Sequence, residues 1–88
     1  MDAPAEPLAE PTTAHNMVAL LLQLATPDKQ EAALCKALAW QEASLKKLQE
    51  QRLEYVEQGW QSSWQAQFDL KTALVAEITR VLAERFGR

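Results

Sequence analysis

Residues 59–86, GWQSSWQAQFDLKTALVAEITRVLAERF, decide the fold. After the glycine, large apolar side chains recur at spacings of three and four residues, which is the period of one face of a helix. They are Trp60, Trp64, Phe68, Leu74, Val75, Ile78, Val81, Leu82 and Phe86. This pattern predicts a helix over about residues 61–86, with Ser62 or Ser63 as N-cap. Its broad apolar face requires a neighbour.

A second long helix is predicted upstream, over residues 27–58. Thr26 can cap it, and Pro27 suits the first helical position, where its missing N–H costs nothing. Gly59 suits the left-handed position just past the helix end. The apolar row of this helix is Leu34, Leu38, Leu45, Leu48, Leu53, Tyr55 and Val56, interrupted by Gln41 and Arg52. These two polar residues either set the register or oligomeric state of the seam, or reach to solvent.

A short first helix is predicted over residues 14–25, with Thr12 or Thr13 as N-cap. It is apolar almost all round, through Met17, Val18, Leu20, Leu21, Leu22 and Leu24. A solvated helix of this composition would be unstable or sticky, so we expect contacts on more than one side. The alternative is that it caps a three-helix monomer with leucines left at the rim.

Together these elements predict an all-α fold. The helices over 27–58 and 61–86 form a long antiparallel hairpin, and the helix over 14–25 completes a three-helix bundle-like unit. Residues 1–11 are rich in proline and acid, so we expect a flexible tail there. Residues 12–88 then make a single helical domain, which is small for one core.

The charge of the chain argues against an electrostatic role. Three of its twelve acids lie in residues 1–11, so the remaining nine acids balance all nine bases. The helical part therefore has no net field to attract nucleic acid or anionic lipid. We also expect a cytoplasmic protein without membrane contact, because no apolar run approaches the ~20 residues that span a bilayer.

A small DNA-binding regulator remains the alternative function. The first two predicted helices and their turn loosely resemble a helix-turn-helix. The segment 28–38, which would read DNA, carries Lys29 and Lys36 against Asp28 and Glu31. A DNA reader needs clustered phosphate contacts, so this alternative is the weaker one.

Catalytic chemistry has few candidates. His15 and Cys35 are each the only residue of their kind and lie on different predicted helices. One His and one Cys fall short of a zinc site, and the only glycines, Gly59 and Gly87, form no phosphate-binding loop. We therefore predict no enzyme, no catalytic residues, no cofactor, no metal and no small-molecule substrate.

The predicted function is a non-catalytic helical protein–protein interaction module: an adaptor, an inhibitor, or a small chaperone that shields a helical client. Its partner is another protein or a second copy. The candidate partner-binding residues are Met17, Leu20, Leu21, Leu24, Trp40, Trp60 and Trp64.

The tryptophans leave alternatives open. Trp60 and Trp64 share a helical face, which serves either as a binding hot spot or to close the end of the hairpin core. Trp40 lies beside the small residues Ala33 and Ala37, where either the first helix or a partner packs.

Overall fold

The chain is all-α, as predicted. The computed structural model describes the backbone of residues 9–88 and the side chains of residues 13–88. Its helices are α1 (Ala9–Leu24), α2 (Gln30–Glu50), α3 (Arg52–Glu57) and α4 (Gln61–Phe86), with a 3₁₀ turn over Pro27–Lys29 before α2.

Helix α1 begins earlier than predicted. It starts at Ala9, so Thr12 and Thr13 lie within the helix and neither is its N-cap. Residues 9–11, expected in the tail, are helical, while residues 1–8 of that tail lie outside the described residues. Pro11 is compatible with this start, because the first backbone N–H groups of a helix have no intrahelical acceptor.

The single helix predicted over 27–58 is divided, which corrects the prediction. Thr26 precedes the 3₁₀ turn in an extended conformation and makes no side-chain capping bond. The second division lies at Gln51, whose N–H is shared between the carbonyl oxygens of Lys47 at 3.1 Å and Leu48 at 3.2 Å.

The Leu48 carbonyl explains the break. In an uninterrupted helix it would accept the N–H of Arg52, four residues on. Here it accepts the indole Nε1–H of Trp64 at 2.7 Å. The division therefore falls where α4 hydrogen-bonds to the backbone of α2.

The turn between α3 and α4 contains the predicted left-handed glycine. Gly59 has a φ of 77°. Its N–H donates to the Val56 carbonyl at 3.0 Å, and the Trp60 N–H donates to the Tyr55 carbonyl at 2.8 Å. This is the Schellman arrangement, which satisfies carbonyls at a helix end. The Tyr55 and Trp60 rings make its usual accompanying contact, with centroids 6.1 Å apart.

Helix α4 matches the predicted range but not the predicted cap. It begins at Gln61, with Trp60 in the N-cap position. Ser62 and Ser63 therefore lie inside the first turn, and the prediction that one of them caps the helix is wrong. The helix ends at Gly87, which adopts a left-handed conformation.

Helices α2 and α4 form the antiparallel hairpin. At one end, Arg88 Nε lies 2.7 Å from Glu31 Oε2. At the other end, Trp64 contacts Leu48. The last residues of α4 thus lie beside the first residues of α2.

Helix α1 packs on its own hairpin, but on one end only. The Leu22 carbonyl accepts a hydrogen bond from Gln30 Nε2 at 2.9 Å. Further back along α1, His15 Nδ1 lies 3.0 Å from Glu77 Oε2 of α4. Helix α1 therefore runs antiparallel to α2 and parallel to α4, beside the half of the hairpin that contains the chain end.

The main core lies where the three longer helices meet. Its buried members are Ala14, Val18, Leu22, Leu34, Leu74, Ile78, Val81 and Leu82. Helix α1 supplies three of them, spaced four residues apart, so only one of its faces enters the core. Leu48 and Trp64 are buried separately, beyond the reach of α1.

This orientation of α1 predicts unequal effects of two neighbouring truncations. Val18 is 3% exposed and Leu20 is 54% exposed. We expect Val18→Ala to reduce the free energy of unfolding by about 2 kcal/mol, because it leaves a cavity. Leu20→Ala should change it by less than about 0.5 kcal/mol. Urea unfolding followed by tryptophan fluorescence measures both, and equal losses would show that α1 packs through a different face.

Gln41 carries a second prediction. Its side chain is half-buried in the seam, and its Oε1 atom is buried with no hydrogen-bond partner in the described part of the chain. An unsatisfied buried polar atom is destabilising, so we expect Gln41→Leu to increase the free energy of unfolding by about 1 kcal/mol. Gln49→Leu, at an exposed position of the same helix, is the control. A destabilised Gln41→Leu protein would mean that Gln41 has a partner that specifies the fold.

Candidate protein-binding surface

The predicted partner-binding residues separate into an exposed and an enclosed group. Large exposed apolar side chains include Met17, Leu20, Leu24, Trp40 and Trp60. Leu21 is half-buried and packs against the main core, and Trp64 is 7% exposed. Leu21 and Trp64 are therefore occupied within the chain, and any outer surface depends on the other five.

Trp64 closes the far end of the hairpin core. Its ring stacks on Phe68, with centroids 5.0 Å apart, and its indole N–H donates to the Leu48 carbonyl. The Arg52 guanidinium lies 5.4 Å from the ring centroid, within cation–π range. Arg52 is itself exposed. This polar residue, which interrupts the apolar row of the second predicted helix, therefore lies over Trp64 at the surface. Trp60, four residues earlier, remains outside this cluster.

Two residues beyond Gln51 that were predicted to lie in the apolar seam are exposed. Leu53 is 75% exposed, and Val56 is also exposed. Helical spacing alone places Leu53 about 100° around the helix from Arg52, so its prediction as a seam residue was wrong on periodicity. Val56 shares the row with Arg52, and its exposure is seen only in the structure.

Helix α1 has a second apolar stripe that faces outward. Met17, Leu20 and Leu24 follow one another at spacings of three and four, as the a and d positions of a coiled coil do. At about 100° per residue, they lie about 100–160° around the helix from Val18. The hairpin covers the Val18 stripe and leaves this one open.

Trp40 lies on the side of α2 that faces α1. Gln30, Ala33, Ala37 and Trp40 are spaced so that they share one stripe of α2. Gln30 bonds to α1, and Ala37 packs against the main core. The Trp40 side chain is nevertheless 71% exposed. Helix α1 therefore does not cover Trp40, which settles one of the two alternatives for its packing.

By helical spacing, these two stripes border the line where α1 meets α2, and we call the apolar surface between them the α1–α2 groove. Its α1 wall is Met17, Leu20 and Leu24, and its α2 wall is Ala33, Ala37 and Trp40. The half-buried alanines keep the α2 wall low, while Trp40 rises at one end. Trp40 lies about 15 Å along α2 from Gln30, so the groove matches roughly three turns of a helix.

The other flank of α1 is polar. A cleft of about 540 Å³ separates it from α4 and is lined by charged side chains, among them Glu77, Arg80, Glu84 and Arg85. Arg80 bonds to both neighbouring carboxylates, with its Nη1 atom 2.8 Å from Glu84 Oε1. The apolar groove and the charged cleft thus lie on opposite flanks of α1.

His15 and Cys35, the two residues considered for catalysis, make contacts in different parts of the molecule. His15 contacts Glu77 at the α1–α4 cleft. Cys35 is half-buried on α2, and its Sγ atom accepts a hydrogen bond from Arg88 Nη1 at 2.9 Å. Within residues 13–88, no cluster of His, Cys, Asp and Glu side chains is placed to hold a metal ion.

Glu77 gives a pH prediction. A hydrogen bond from Arg80 holds the pKa of the Glu77 carboxyl below its ordinary value of 4.5; burial opposes this and His15 assists it. The ionised carboxylate therefore stabilises the fold above about pH 4.5, and this contribution is lost as pH falls below that value towards the lowered pKa.

We accordingly expect Glu77→Gln to be less stable than the unsubstituted protein at about pH 7, and this difference to be smaller at about pH 3. Urea unfolding at both pH values measures the difference. Glu84→Gln, at a more exposed carboxylate of the same network, should show a smaller effect. A difference that persists unchanged in acid would mean that Glu77 stabilises the fold without its charge.

Comparisons with known proteins add no assignment. No family model, no curated protein and no solved structure matches the chain. None of the helices in residues 9–88 combines the length and apolar character of a bilayer-spanning segment. The case for function therefore depends on the geometry of the surface.

Proposed function

We propose that this protein is a non-catalytic protein-binding module whose α1–α2 groove holds an amphipathic helix of another protein. The observation that carries the proposal is the open apolar stripe of α1 lying beside the exposed Trp40. Exposed apolar residues are common singly, but a contiguous set flanked by polar residues is typical of an interaction site.

A helical occupant fits the packing of the module. Helices α1, α2 and α4 already share one core, and a fourth helix in the groove would extend this arrangement towards a four-helix bundle. Side chains from the occupant would sit over Ala33 and Ala37, where the wall is low. Trp40 would pack along the side of the bound helix.

The energetics support reversible binding. Burying apolar surface contributes about 25 cal/mol per Å², and tryptophan is enriched among the residues that dominate binding energy. The groove offers one tryptophan and three long aliphatic side chains. An adaptor, an inhibitor and a small chaperone for a helical client would each use such a site. The chaperone role fits best when the client helix is itself apolar on one face.

A DNA-binding regulator is the alternative, and the exposed surface favours it less. The segment Asp28–Leu38 retains its balance of two lysines and two acids. Clustered phosphate contacts are what a DNA site requires. The exposed stripe of α1 and Trp40 would have no role in such a complex.

The test is a point substitution in the groove. Leu20→Glu places a charge on the open stripe without disturbing the core, whereas deleting α1 would also remove Ala14, Val18 and Leu22. We expect Leu20→Glu to weaken partner binding at least about tenfold, because a charge buried in an apolar contact is costly. Leu53→Glu, at a similarly exposed leucine on α3, should leave binding unchanged.

A photo-crosslinking residue at position 40 measures binding in cells. Mass spectrometry of the crosslinked peptides should identify a helical segment of another protein, and Leu20→Glu should abolish the crosslink. Urea unfolding of each variant confirms an intact fold. Crosslinks that survive Leu20→Glu but not Leu53→Glu would place binding at the α3–α4 turn and refute the groove.

A further inference from the structure

We infer that the helix held in the α1–α2 groove carries acidic residues along the edge that lies against α2. This inference rests on the proposed function and specifies the chemistry of the partner.

A row of lysines borders the groove on the α2 side. Lys36 precedes Trp40 by four residues, and Lys47 follows it by seven, so both lie on the Trp40 side of the helix. Lys29 lies in the 3₁₀ turn that precedes α2, towards the other end of the groove. All three lysines are exposed.

No acidic residue lies on this flank of α2 between Gln30 and Lys47. The ion pairs of residues 13–88 involve histidine and arginine as the cations and none of these lysines. Glu31 and Glu42 lie on the opposite flank of α2, where Arg88 contacts Glu31. Glu50 follows Lys47 by three residues, makes no ion pair with it, and lies with it beyond the Trp40 end of the groove. The row is therefore available to carboxylates of a partner.

The α1 edge of the groove differs from the α2 edge. Its described polar residues, Thr13 and Asn16, are uncharged. His15, the only titratable side chain in residues 13–25, contacts Glu77 across the other flank of α1. Among residues 13–88, one edge of the groove is thus basic and the other carries no charge. This asymmetry fixes the rotation of a bound helix, with its acidic edge towards α2 and its neutral edge towards α1.

A second copy of this chain suits the groove less well. In two copies docked through their grooves, the lysine edge of one faces either the lysine edge or the uncharged edge of the other. Neither arrangement gives these lysines a carboxylate, and like charges in apposition are unfavourable. An acidic helix would give these lysines carboxylate partners, whereas a second copy would not. Each exposed ion pair contributes only about 0.2–1 kcal/mol, so the lysine row selects the partner and the apolar stripe supplies most of the affinity.

Synthetic helices of about 18 residues, or five turns, test the inference. One peptide has leucines at a and d positions and glutamates along one edge, and its twin has glutamines in place of the glutamates. Isothermal titration gives their affinities. We expect the glutamate peptide to bind the full chain about tenfold more tightly at low salt, and the ratio to shrink as salt is added.

Neighbouring lysines provide a matched pair of variants. Lys47→Glu should weaken the glutamate peptide about three- to tenfold, and a third peptide with lysines along the edge should bind this variant better than the unsubstituted chain. Lys46→Glu changes the charge equally but lies about 100° further around α2, away from the groove. It should leave both affinities unchanged.

The possible failures are distinguishable. If both peptides bind equally, bind less tightly to Leu20→Glu, and ignore Lys47→Glu, the acidic partner is wrong and the groove stands. If neither peptide binds, or Leu20→Glu has no effect, the proposed function itself fails. If light scattering finds a dimer that Leu20→Glu converts to a monomer, the occupant is a second copy and the inference is overturned.

Discussion

The architecture depends on one constraint: α1 has apolar side chains on two faces, and the hairpin lies against only one of them. Ala14, Val18 and Leu22 enter the core shared with α2 and α4. Met17, Leu20 and Leu24 then necessarily turn outward, because a straight helix cannot present opposite faces to the same neighbour. The exposed stripe follows from the packing that stabilises α1, and no local rearrangement hides it.

The far end of the hairpin shows how one tertiary hydrogen bond redirects local structure. The Trp64 indole N–H donates to the Leu48 carbonyl, and the series of helical hydrogen bonds is interrupted at Gln51. Helix α3 follows, with Leu53 exposed, and ends in the Gly59 turn. Trp60 and Trp64 consequently serve different purposes despite their helical spacing: Trp64 completes the core, and Trp60 packs on Tyr55 at the turn.

In the proposed complex, the apolar side chains and the charged side chains of the groove would make different contributions to binding. In the proposed complex, the stripe on α1 and Trp40 would supply affinity but little selectivity, since many amphipathic helices present a similar face. The lysine row on α2 and the uncharged edge of α1 give the groove polarity across its width. Charge complementarity of this kind governs orientation and choice of partner more than binding strength.

The sequence by itself determined the all-α fold, the range of the 61–86 helix and the left-handed Gly59, because periodicity and turn chemistry are local properties. It also identified the first helix as apolar on more than one face. Only the tertiary structure decided which stripe of that helix is buried, where the helix predicted over 27–58 divides, and that Trp40 stays uncovered. Those outcomes depend on contacts between residues distant in the chain, such as Trp64 with Leu48 and Gln30 with Leu22, and helical spacing carries no information about which neighbour a face will meet.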